Sequence, residues 1–134
     1  MTRANGSFVV TMTPQPSQDG SVVGRFLLDK QFHGALEGTS KGEMLAVRTG
    51  VEGSAGYVAM EQVTGELNGR RGTFALQHNG LMTRGTPQLS IVVVPDSGTD
   101  QLSGLAGKMH INIVDGAHSY EFEYEFEGGE SDKT

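Results

Sequence analysis

The sequence predicts an all-β protein, a single domain over 1–134 built as an eight-stranded, closed, antiparallel up-and-down barrel. Three observations point there. Runs alternating apolar and polar residues follow one another along the chain, and no amphipathic helical pattern exceeds a turn or two. Glycine supplies 20 of 134 residues, as a turn-rich chain requires. One arrangement also occurs three times, as Leu36-Glu37-Gly38…Gly42…Gly50, Leu67-Asn68-Gly69…Gly72…Gly80 and Leu102-Ser103-Gly104…Gly107…Gly116. Each copy is Leu-x-Gly, a second glycine, a strand and a closing glycine, with one extra residue in the first. Glycines at a strand entrance permit the sharp bend of a barrel corner. Closure removes the exposed edges of an open sheet, and a two-sheet sandwich is the alternative.

In chain order, residues 7–13 alternate and read as the first strand, ended by Pro14 and Pro16. Residues 22–33 form the second, with Phe26, Leu28 and Phe32 on one face. Lys30 falls on that face, either as a residue snorkelling outward from a strand end, which is the expectation, or as a buried charge. Residues 36–50 are the third strand, on which Glu43 is ambiguous: periodicity sets it beside Leu45 and Val47, whereas the glycine arrangement turns Met44 inward. Residues 57–67 and 70–79 flank Asn68-Gly69, a strong hairpin signal because a type I′ turn needs φ > 0 at both central residues. Counting outward sets Leu67 against Arg70. It gives one largely apolar face carrying Tyr57, Ala59, Glu61, Val63, Phe74, Leu76 and His78, and a polar face where Glu66 opposes Arg71.

Residues 88–94 are the sixth strand, and its Ile-Val-Val-Val run predicts burial on both faces, under a loop or a partner subunit. Pro95 stops it, and 96–101 is an irregular connection rich in turn formers. Residues 105–114 and 118–127 are the last two strands. In the eighth, His118, Tyr120, Phe122, Tyr124 and Phe126 alternate with Ser119 and four glutamates, so a slip of one residue would bury the acids. Residues 128–134 read as a flexible acidic tail.

Composition excludes several function classes. A net charge of −6 with no basic cluster beyond Arg70-Arg71 argues against nucleic acid and anionic membranes as partners. The absence of cysteine removes disulfides, thiolate catalysis and Cys-ligated zinc. The longest apolar run, 91–94, is far short of a membrane span, and the N-terminal residues lack a signal peptide's apolar stretch. A cytoplasmic protein is the expectation, with no metal or cofactor and a homo-oligomer as an open option.

Several stretches together resemble one bacterial family: GTSKGEM (38–44), GYVAMEQVTGELNGRRGTFALQHNG (56–80), VVPDSGTDQLSGLAG (93–107) and HSYEFEYEF (118–126). It is the domain-of-unknown-function family 3224. The resemblance spans nearly the whole chain and implies the allene-oxide-cyclase-like barrel. That wider superfamily includes cyclases acting in the barrel cavity without a cofactor. The family itself implies no activity, so no catalytic residue is carried over from it.

From the residues alone, Glu61 and His78 are the candidate catalytic pair: two ionisable groups at diagonal positions on an inward, apolar face, where burial shifts pKa values. Arg48, which matches His78 in the glycine arrangement, and Tyr57, Tyr120 and Tyr124 are the candidate ligand-binding residues. The Gly38-Thr39-Ser40-Lys41-Gly42 match to a nucleophile elbow lacks the strand-turn-helix setting and is rejected. His33, His78, His110 and His118 show no metal-binding spacing. Three readings follow: a barrel binding a small apolar or amphipathic molecule, a cofactor-free isomerase or cyclase using Glu61 as base or cation stabiliser with His78 as partner, and a packed structural barrel without a ligand.

Overall fold

The computed structural model describes residues 1–17 and 19–127; the expected acidic tail lies outside them. Eight strands close into one antiparallel barrel in sequence order: β1 (Thr2–Gln15), β2 (Val23–Gly34), β3 (Leu36–Arg48), β4 (Ala55–Leu67), β5 (Arg70–Thr83), β6 (Thr86–Val93), β7 (Leu105–Val114) and β8 (Ala117–Phe126). β1 pairs with β8 to complete the ring. The only helical element among the described residues is a short 3₁₀ turn, Asp100–Leu102.

Local chemistry sets the hairpins. Asn68 and Gly69 have φ of 47° and 88°, the type I′ pattern, and they fix the expected register with Leu67 against Arg70 and Tyr57 against Gly80. Asp115-Gly116 repeats that turn between β7 and β8, with φ of 52° and 80°. A third such turn at Arg84-Gly85 joins β5 to β6 with φ of 45° and 93°. It lengthens both strands beyond the expected 70–79 and 88–94. β1 is also longer than expected and runs through Pro14. Past Phe8 it has no β8 partner, so the N–H that proline lacks falls on a free edge.

The glycines inside the arrangement mark close backbone approach. An added Cβ would lie 2.1 Å from the Met60 carbonyl oxygen at Gly42, 2.2 Å from that of Thr99 at Gly72, and 2.3 Å from that of Glu123 at Gly107.

Inward side chains are buried to different degrees along the barrel. At one end Leu36, Leu67, Leu102 and Leu105 are essentially inaccessible, and with Phe74 and Phe122 they form the packed core. At the other end residues of the same inward register are exposed: Met12 at 50%, Met82 at 40%, Leu89 at 47% and Ile113 at 63%. The barrel is filled at one end and open at the other.

The seam between β6 and β7 is uneven as well. Val92–Lys108 is the single residue pair that joins the two strands. Toward the closed end, the connection read from sequence as irregular takes the place of a strand beside β5. Gln101 Oε1, Thr99 Oγ1 and Ser97 Oγ accept from the backbone N–H groups of Arg71, Thr73 and Ala75, and the Thr99 and Val94 N–H groups donate back to Thr73 and Ala75. This lodges Leu102 in the core. Toward the open end no further residue pair joins β6 to β7. Of the run expected to be buried on both faces, Ile91 and Val93 are buried within the chain, whereas Val92 points outward, is 38% exposed and is covered by no loop of this chain among the described residues.

Candidate functional site

Four neighbouring strands each place one polar side chain on the inner wall: Lys30 on β2, Ser40 on β3, Glu61 on β4 and His78 on β5. All four are buried. Lys30 pairs with Ser40, Glu61 lies opposite Gly42 and His78 opposite Ala59, so the cluster descends diagonally across the sheet. Gly42 brings β3 against β4 at Glu61, which shortens the reach of Ser40 and Lys30 to the carboxylate.

Glu61 is the hub. Its Oε1 accepts the Ser40 hydroxyl at 2.5 Å. Its Oε2 accepts the Lys30 ammonium at 2.8 Å and the ring Nε2–H of His78. Burial by itself pushes the carboxyl pKa up. The His78 hydrogen bond and the Lys30 charge outweigh it and hold the pKa at about 2, against an ordinary 4.5. Glu61 is therefore an ionised carboxylate that accepts three hydrogen bonds. The Lys30 ammonium also lies 5.2 Å from the centre of the Phe8 ring and 5.9 Å from that of Phe32.

Lys30 is not the outward-snorkelling residue expected from sequence. Its inward parity was visible beside Leu28 and Phe32; what sequence did not show was the carboxylate across the wall that compensates a buried ammonium. Ser40 was also missed, although the glycine arrangement that turns Met44 inward places Ser40 on the same face. Glu43 points outward and pairs with Arg25 at 2.9 Å, which settles its ambiguity.

The remaining expected site residues divide. Tyr57 joins the cluster: it is half-buried, its ring centre lies 6.4 Å from that of His78, and the ring crosses the space a side chain at Gly80 would need. Burial, then the Glu61 charge, raise its hydroxyl pKa. Arg48 does not join. It is exposed and in register with Ala55 and hence Met82, four residues past His78, or roughly 13 Å further toward the open end.

Tyr120 and Tyr124, expected as ligand-binding residues, are buried toward the closed end, where their hydroxyls bond protein groups. The Tyr120 hydroxyl accepts the Leu36 N–H at 2.9 Å and lies within donating reach of the His33 and Leu36 carbonyls, clamping the β2–β3 turn. The Tyr124 hydroxyl accepts from Asn68 Nδ2 at 2.6 Å. Among the described residues no group of acids and histidines could hold a metal ion. His33 and His110 are exposed, and His118 packs against Phe8. A depression of about 480 Å³ over β2 to β5 is lined mostly by outward residues, including Leu45, Val58 and Met60, with Ala59 and His78 also among its lining. Among the described residues no helix is long and apolar enough to cross a membrane.

Fold and site together define a small closed antiparallel β-barrel with an ionised polar cluster on its inner wall. The chain belongs to the DUF3224 family of proteins of unknown function, whose model matches residues 4–124. It is similar to a protein of unknown function from that family from Shewanella oneidensis MR-1, known from a crystal structure: 51% identity, TM-score 0.91, covering 95% of this chain and 98% of the other. No curated protein matches the chain.

Proposed function

We propose that this barrel binds a small apolar or amphipathic molecule in its open half, with the Lys30–Glu61–His78 cluster at the floor of the site. One observation carries the reading. Inward-facing apolar residues that would pack a filled barrel stand exposed at the open end, and the polar cluster sits where burial becomes complete. An apolar wall ending in a few convergent polar groups is the usual composition of a small-molecule site. Tyr57 and His78 flank the passage between the two.

The isomerase reading with Glu61 as base has less support. A carboxylate held near 2 and already accepting from Ser40, Lys30 and His78 is a weak proton acceptor at neutral pH. Glu61 acts instead by orienting Lys30 and His78. Native mass spectrometry on protein purified from its natural host tests the binding reading. The expected result is a retained small apolar molecule, and a panel of hydrophobic metabolites in which at least one raises Tm. No co-purified molecule and no shift from any panel member would mean a packed barrel without a ligand.

A further inference from the structure

We propose that the interior cluster recognises an oxygen-acceptor end on its ligand, and favours an anionic one such as a carboxylate or sulfonate. This rests on the binding reading above and adds the chemistry of the ligand's polar end.

The charged donor capacity of the cluster is only partly used. The Glu61 oxygens already accept three hydrogen bonds, from Ser40, Lys30 and His78. The Lys30 ammonium has three donors and, among the described residues, gives one of them, to Glu61. The other ring nitrogen of His78, Nδ1, has no hydrogen-bond partner among the described residues. Two donors of a charged group, the Lys30 ammonium, are therefore unused at the floor, beside a Ser40 hydroxyl oxygen that keeps its neutral acceptor capacity. Buried donors without partners are costly, so an acceptor on the ligand gains more here than the same group gains in water.

Charge is also segregated between the two faces of the sheet. Glu61 is the sole inward-register carboxylate among the described strand residues, whereas Asp29, Glu43, Glu66, Glu121 and Glu123 all turn outward. Lys30 and Arg48 share the inner register, so the charged groups lining the path from open end to floor sum positive on a chain of net charge −6. Phe8 and Phe32 beside the ammonium keep that part of the floor poorly hydrated, which strengthens a charge-assisted bond to an anion.

Titration calorimetry with decanoate, decanol and decyltrimethylammonium, which share one alkyl chain, tests the inference. Fluorescence with anilinonaphthalene sulfonate against neutral phenylnaphthylamine repeats the comparison on an aromatic body. The anionic member of each set should bind about tenfold tighter than the neutral one, with the cationic amphiphile weakest. Lys30→Met should bring the decanoate-to-decanol ratio to about one. Because that variant leaves Glu61 without its cation, Lys30→Met with Glu61→Gln carries the same comparison in a neutral, foldable site. Equal affinity for anion and neutral probe in the unaltered protein, or an unchanged ratio in both variants, overturns the inference while leaving the binding reading intact. Silence from every probe removes the binding reading, and this inference with it.

Discussion

At the scale of single residues, Glu61 couples the barrel's stability to acid. Its folded pKa of about 2 lies below the ordinary 4.5 expected of the unfolded chain. Its ionised form is thus bound more tightly in the folded state, by on the order of 3 kcal/mol. The sign follows directly: the contribution is complete above about pH 4.5 and is lost as pH falls toward 2. Urea midpoints measured across this range should drop for the unaltered protein. Glu61→Gln should lack that limb, and at neutral pH should be destabilised by about 3–5 kcal/mol, because it strands the Lys30 ammonium in the interior. Parallel pH profiles for the two proteins would show that Glu61 does not carry the acid sensitivity.

At the scale of elements, turn chemistry decides where strands begin and end, and it was only partly legible. Asn68-Gly69 announced its hairpin because both residues tolerate φ > 0, and the register it set placed Glu61 and His78 inward as observed. Arg84-Gly85 makes the same turn with a residue that resists the left-handed region. Nothing in the side chain advertised the turn, so the ends of β5 and β6 were misplaced. Arg84→Asn should relieve that strain and raise stability by about 0.5–1 kcal/mol, read as a higher urea midpoint at unchanged m value. A lower midpoint would mean that the Arg84 side chain makes a compensating contact. The site was half legible for a related reason. Alternation within a strand shows which way a side chain points, so Glu61, His78 and Tyr57 could be found. It does not show what stands across the barrel, so the reach of Lys30 and Ser40 to Glu61, and the closed-end roles of Tyr120 and Tyr124, needed the ring to be closed.

For the whole molecule, closure is complete at one end and partial at the other, and this asymmetry sets how a ligand would enter. Between β6 and β7 the Val92–Lys108 pair is the only residue pairing. On its closed side, the backbone and side chains of 94–101 bind β5 in place of a strand. On its open side, residues 86–91 and 109–114 each have one edge without a partner strand, with Leu89 and Ile113 exposed on either side of the gap. Pro87 and the end of β6 fit such an edge, where a missing N–H costs no ladder bond. Every second amide along these two segments points toward the gap rather than to β5 or β8. Hydrogen exchange should find those alternate amides exchanging near the rate of unpaired backbone, while the amides of β3 and β4 exchange only through opening close to global unfolding. A bound molecule seated in the open half should slow exchange in 86–91 and 109–114 more than in β1 or β2. Uniform protection along β6 and β7 in the free protein would mean that the seam is zipped in solution, leaving the end of the barrel as the route to Glu61, Lys30 and His78.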